Sequence, residues 1–394
     1  MAFLNNKWLS GAIPALMLHC SIGFVYCWSL FKANIAQAIG QSVSSIELAF
    51  SLAIFFLGMS AAFCGNLVER NVKLSAFVST LFFTAGMVGT GIAIQCQSLT
   101  GVCLSYGVIM GIGLGIGYLT PVKTLLLWFK ENKGLATGIA ITGFGLAKVL
   151  ASPAIEYLIV AYPIQYLFYI LGGIYAFVML ISALLIKKPD WASAFKGEHF
   201  NLKKSFKVIL NPTYIAIWTV FFINITCGLA LISQEKTLLH SVGVVDGIAL
   251  IAAMTALFNA VGRFGYSTLS DALKNRATVY EIIFLSSGIS CLLFCINPAL
   301  FAVGTLFIAL ILCNLGYGGG FSTLPSLLSD KFGMKNVSVI HGFCLSAWAW
   351  AGLAGNNLGY FMLSNFGSMA LFILLGVLYL AAFVITWHGI AGKK

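Results

Sequence analysis

Leu257-Phe258-Asn259-Ala260-Val261-Gly262-Arg263-Phe264-Gly265-Tyr266-Ser267-Thr268-Leu269-Ser270-Asp271 places an arginine inside a run, Ile248 to Leu269, that is otherwise long and apolar enough to cross a bilayer. An arginine near the bilayer centre costs roughly 2.5–3.5 kcal/mol on insertion scales, so its presence needs a reason. Asp271 marks where this helix meets water. Arg263 stands eight residues earlier, which is about 12 Å deeper at the helical rise. The hydrocarbon core is about 30 Å thick, so that depth is near its middle and too deep for the side chain to snorkel out fully. The expectation is a guanidinium that faces an internal, water-reachable cavity and receives an anion. The plainer alternative is a clamp, paired with backbone carbonyls or with a carboxylate such as Asp271.

The apolar pattern recurs from end to end. Of 394 residues, 60% are hydrophobic and only 8% charged, against about a quarter charged in soluble domains. The runs predict an all-α membrane protein with twelve transmembrane helices, at 10–31, 44–67, 74–96, 101–127, 134–159, 164–187, 212–234, 247–269, 277–296, 299–328, 336–363 and 367–388. The net charge of +11 does not point to nucleic acid, because the charges fall in short gaps between runs. With both termini cytoplasmic, the inner loops and tails hold seventeen Lys and Arg, and the outer loops only Lys32 and Lys236. That asymmetry predicts the orientation. Lys123, Lys148 and Arg263 remain within spans. Lys7 precedes an apolar stretch without an obvious cleavage site, which reads as a retained first span. The ten cysteines lie mostly in apolar runs without metal-ligand spacing, so packed thiols are expected, and no metal or cofactor; a Cys96–Cys103 disulfide across a short outer loop stays open.

The basic, polar stretch 189–211 reads as a cytoplasmic linker joining an N-terminal six-helix bundle, 1–188, to a C-terminal one, 212–394. The two halves resemble each other. Gly65-Asn66-Leu67-Val68-Glu69-Arg70 follows span two, and Ser267-Thr268-Leu269-Ser270-Asp271 ends span eight, 202 residues later. Gly113, Gly115, Gly117 and Pro121 in span four have counterparts in Gly316, Gly318, Gly319, Gly320 and Pro325 of span ten. Two pseudo-symmetric bundles built this way are a common transporter plan, with the substrate site at their interface near the midplane.

The twelve spans, the six-plus-six repeat and the Gly65-to-Lys73 loop resemble the major facilitator superfamily, whose loop pattern is Gly-x-Leu-x-Asp-Arg-x-Gly-Arg/Lys. Here Glu69 stands for the Asp and Val72 for the second Gly. A narrower resemblance is to the oxalate/formate antiporter family within it. It is carried by Tyr26-Cys27-Trp28-Ser29-Leu30-Phe31, Gly115-Ile116-Gly117-Tyr118-Leu119-Thr120-Pro121-Val122, Gly143-Phe144-Gly145 and Phe221-Phe222-Ile223-Asn224. The resemblance implies that Arg263 binds a substrate carboxylate. It also implies a multi-pass protein of the bacterial cell (inner) membrane. In span eleven the family pattern has a lysine as a second cation, and here the nearest match is Trp348. Lys148 lies in span five, the repeat counterpart of span eleven, and is the candidate for a relocated second cation. The alternatives for it are snorkelling or a pair with Glu156.

The remaining candidates follow from chemistry. Tyr26, Trp28, Tyr118, Tyr317, Phe321 and Trp348 offer apolar walls, with Tyr and Trp adding a donor. Against this, aromatics are 14% of the chain, and most must be packing or interface belts. His19, mid-span, suits a substrate donor, a proton carrier or a packed core residue. Asn224 and Gln234 of span seven suit substrate or interhelical hydrogen bonds. Glu69, Arg70, Lys73 and Asp271 are expected to gate the inner face through charge pairs. The glycines of spans four and ten suit either bending or close packing.

No carboxylate stands out at mid-depth, and only His19 titrates there. A basic cavity is costly to move while empty, so exchange of one small carboxylate for another by alternating access is the function expected. The chain is therefore expected to be a monomeric carrier with a carboxylate substrate and the lipid bilayer as partners, no nucleic acid and no enzymatic activity. One alternative is a proton-coupled carrier of lactate- or pyruvate-like acids, in which protons are a further partner. Another is a transporter-like membrane sensor.

Overall fold

A single residue, Asn71, separates two long helices and shows how tightly this chain is strung. It ends one helix in extended backbone, and its side-chain oxygen accepts from the N–H groups of Lys73 (3.1 Å) and Leu74 (3.0 Å), capping the next. The computed structural model describes residues 6–193, 207–246, 248–273, 275–296, 302–334 and 337–391. Most of the predicted linker 189–211, with Lys196, Lys203 and Lys204, lies outside the described residues, as do Lys274, Lys335, Lys393 and Lys394.

The long elements are α1 (Trp8–Ala38), α2 (Val43–Arg70), α3 (Val72–Gln95), α4 (Leu99–Trp128), α5 (Lys133–Ala161), α6 (Ile164–Leu185), α7 (Pro212–Ser241), α8 (Ile248–Ala272), α9 (Ala277–Ile296) and α10 (Ala302–Phe332). A last helix, Val337–Thr386, is broken at Gly367, whose φ of 81° and ψ of 177° lie outside any helix; residues 337–366 are α11 and 368–386 are α12. Among the described residues, ten helices are long and apolar enough to cross a membrane. Dividing the last of these at Gly367 and adding α8 gives the twelve expected from sequence. This is a multi-pass, all-helical membrane protein.

The helices follow the predicted spans within a few residues, with two exceptions. α1 and α7 run on to Ala38 and Ser241, past the expected ends at 31 and 234. The extensions carry Lys32, Gln37, Glu235 and Lys236. Polar residues end an apolar run, but these types are good helix formers and do not end a helix.

By proximity the chain forms two units: Met1–Ser205 with Leu328–Ala349, and Phe206–Leu327 with Trp350–Lys394. Within the first unit, the opening turns of α11 pack on α2 at backbone distance. A Cβ on Gly65 would lie 2.7 Å from the Ser338 carbonyl oxygen, and one on Gly342 only 2.1 Å from that of Ala61. The described cysteines are all free thiols, including Cys96 and Cys103.

The cap at Asn71 is open to test. Asn71→Ala removes the acceptor from two orphan N–H groups and is expected to destabilise the fold by about 1 kcal/mol, read as a lowered thermal unfolding midpoint in detergent. Asn71→Asp, which keeps the acceptor, should leave the midpoint near wild type.

Candidate functional site

In the second unit, Arg263 is 1% exposed, so in this state solvent does not reach the guanidinium. Its position is set by α8 and α10. One turn earlier on α8, Asn259 accepts a hydrogen bond from Nε at 2.9 Å through its side-chain oxygen. The guanidinium carbon lies 5.5 Å from the centre of the Phe321 ring, a cation–π distance. The glycines of α10 make this possible: a Cβ on Gly318 would stand 2.1 Å from the Asn259 carbonyl oxygen and 3.1 Å from Arg263 Cγ. The glycine cluster of span ten therefore serves close approach.

Phe321 belongs to an aromatic group with Tyr317 (centroids 5.1 Å apart) and Phe221 of α7 (5.0 Å, edge-on). Asn224 is fully buried and donates from Nδ2 to the Gly316 carbonyl at 3.2 Å, while its Oδ1 has no hydrogen-bond partner. The structure thus groups Arg263, Phe321 and Tyr317, whereas Asn224 meets α10 at Gly316 and Gly320. Gln234 is not brought into this group; it is half-buried, and its Nε2 reaches Ser233 Oγ at 3.5 Å.

In the first unit, five rings converge from α1, α4, α5 and α11. Tyr118 stands edge-on to Phe144 (5.6 Å) and to Trp348 (5.6 Å), and Tyr26 is edge-on to Phe144 (4.9 Å). His19 lies 5.2 Å from Tyr118 and 6.1 Å from Phe144. The Tyr26 hydroxyl is buried without a hydrogen-bond partner. The His19 ring is held between two backbone carbonyls, with Nδ1 on Ala140 O and Nε2 on Tyr118 O at 3.0 Å.

Lys148 lies one turn beyond Phe144 on the same face of α5. Its Nζ donates to Ser29 Oγ at 3.3 Å, so Ser29, and not Glu156, is its neighbour. Trp28 lies elsewhere in this unit. Its Nε1 donates to Glu47 at 3.1 Å, Glu47 also pairs with Lys32, and the ring packs on Tyr106 (4.7 Å).

The seam between α2 and α11 carries a further charge pair. Glu69 accepts from the Ser338 N–H (2.7 Å), at the amino end of α11, and pairs with Lys123 of α4 (2.7 Å). Lys123 is 5% exposed and also donates to Met334 O at 3.1 Å; Lys188 donates to the Glu69 carbonyl at 2.5 Å. Burial first, then the nearby Lys123 charge, hold Lys188 below the ordinary lysine pKa, with Glu69 pulling the other way. Lys133 pairs with Asp330 at 2.6 Å. Arg70 and Lys73 are exposed. Asp271, in the second unit, pairs locally with Arg276 at 2.7 Å.

Sequence reasoning left Lys123 without a role, because its partner is 54 residues away on another helix. It also left out Asn259, although the four-residue spacing to Arg263 was a signal. α7 also carries Glu235 into a buried position, where Thr255 of α8 donates to it at 2.9 Å.

The profile of the Major Facilitator Superfamily matches residues 2–355. The chain is similar to the oxalate:formate antiporter of Oxalobacter formigenes, 26% identical, with 99% of this chain and 94% of that one covered. It is similar to apicoplast pyruvate carrier 1 of Toxoplasma gondii, 24% identical over 69% of this chain and 61% of that one. Its fold matches the crystal structure of the human organic anion transporter MFSD10 (TETRAN) with a TM-score of 0.72 at 13% identity, covering 96% and 99% of the two chains.

The Glu69–Lys123 pair makes a defined prediction. Glu69→Gln leaves a buried ammonium without its counter-charge and is expected to destabilise the fold by about 3 kcal/mol. A double-mutant cycle with Lys123→Gln, read by thermal unfolding, should recover much of that loss.

Proposed function

This chain belongs to the major facilitator superfamily, and from that premise we propose that it exchanges small carboxylate anions across the membrane by alternating access. It is a transporter, not an enzyme. The observation that carries the substrate class is the buried Arg263 guanidinium, aimed by Asn259 and backed by Phe321. A planar fork of donors matches a carboxylate with two parallel hydrogen bonds. The similarity to an oxalate:formate antiporter across nearly the whole chain points to the same class.

In this reading Arg263 anchors the anion. Tyr317 and Phe321 shape its surroundings in the second unit; in the first, Tyr26, Tyr118 and Trp348 form an aromatic cluster of their own. Lys148 supplies a second positive charge in place of the lysine missing at Trp348, and His19 tunes the charge. Exchange follows from the cost of reorienting a cationic site while it is empty, which a bound anion lowers. Glu69, Arg70 and Lys73 in the first unit, and Asp271 in the second, are the gating charges through which one state is held. The Lys- and Arg-rich loops set these charges, with both termini, in the cytoplasm of a bacterial cell, and the carrier works as a monomer in the inner membrane.

A second reading has an observation of its own. Glu235 is a buried carboxylate hydrogen-bonded to Thr255, two turns from Arg263 on α8. Such a group suits a co-transported proton, and the similarity to a pyruvate carrier fits it.

Reconstituted protein separates the two. Liposomes preloaded with oxalate, formate, lactate or pyruvate are assayed for uptake of a labelled anion. Exchange predicts a strict need for internal anion, whereas proton coupling predicts uptake into empty vesicles under an inward pH gradient that is lost in Glu235→Gln. Arg263→Lys, which keeps the charge but loses the fork, should reduce transport about tenfold or more; undiminished transport would rule out Arg263 as the anchor. Lys148→Met should weaken oxalate more than formate.

A further inference from the structure

The seam closed by Glu69 holds more polar groups than it uses. Ser338 Oγ and His341 Nε2 are both buried, on residues 3% and 1% exposed, and neither has a hydrogen-bond partner. They lie three residues apart on α11, hence on one face, and line a single cleft with Lys123 of α4. Orphaned polar atoms inside a native fold are rare and costly, and a pair of them beside a buried ammonium calls for an explanation.

Their neighbours supply one. In this state the Glu69 carboxylate takes both the Ser338 N–H and the Lys123 ammonium. If α2 draws away from α11, that carboxylate leaves with it. Four donors then surround the vacated place: Lys123 Nζ, the Ser338 N–H, the Ser338 hydroxyl, and His341 Nε2 in the tautomer that carries its hydrogen there. The N–H belongs to the amino end of a long helix, which favours negative charge. Val122, Leu119 and Val337 supply apolar walls to the same cleft.

We propose that this cleft is a second carboxylate station, in which a transported anion replaces Glu69 at Lys123, Ser338 and His341 when the seam opens. The proposal rests on the reading of the chain as a carboxylate carrier. The side chain of Glu69 is then a resident mimic of the substrate's own functional group. It holds the station while the seam is shut and yields it to an anion arriving at the Lys- and Arg-rich face. Lys123 keeps a counter-charge in both states, and the two orphaned atoms acquire their partner only in the open one.

The test is kinetic and sided. In proteoliposomes of defined orientation, formate–oxalate exchange gives a KM for oxalate at the Lys- and Arg-rich face and another at the opposite face. His341→Leu combined with Ser338→Ala is expected to raise the first about tenfold, for two lost bonds to an anion, and to leave the second unchanged. Ser338→Ala alone, a minimal change, should raise the first by a smaller factor. If these variants only loosened the seam, the open form would be favoured and the same KM would fall. That result, or unchanged values at both faces, overturns the station. Failure of the underlying reading looks different: wild-type protein would exchange neither anion.

Discussion

Hydrocarbon tolerates the Arg263 guanidinium because its neighbours spread and direct the charge. Asn259 accepts from its Nε with a neutral oxygen, and the Phe321 ring lies beneath its central carbon. The ring contact depends on α8 and α10 meeting at backbone distance, which the bare Cα of Gly318 permits. The chain of cause thus runs from one glycine, to a helix crossing, to the aim of one cation. α7 also meets α10 closely, with Asn224 against Gly316 and Gly320 and Tyr317 against Gly228.

The three cations inside spans meet different kinds of neighbour. Lys123 is matched with a carboxylate of the protein itself, at the seam of α2 and α11. Such a pair fixes a conformation and is expensive to break by halves. Lys148 reaches a hydroxyl, and Arg263 an amide oxygen and a ring.

Much of this was legible in the sequence. The number of helices follows from apolar run length alone, and so does the helix that carries Arg263. Helix ends were less so: α1 and α7 continue through Lys, Glu and Gln, residues that hydropathy reads as a stop and helix propensity does not. Sequence could propose Tyr118 and Trp348 as wall residues, but not that Phe144 joins them, because an apolar ring in an apolar helix carries no pattern of its own. Trp28, two residues past Tyr26, proved to serve Glu47 and Tyr106. Contacts of this kind depend on which helices become neighbours, a property of tertiary packing that one-dimensional spacing does not contain.

The single-residue joint between α2 and α3 has a mechanical corollary. With only Asn71 between them, these helices share no slack. One added or deleted residue would swing the packed side of α3 by about 100° around its axis. For the same reason α3 must follow any tilt of α2. Whatever pries α2 from α11 at Glu69 is levered directly into the body of the first unit, and the seam and that bundle move as one piece of machinery.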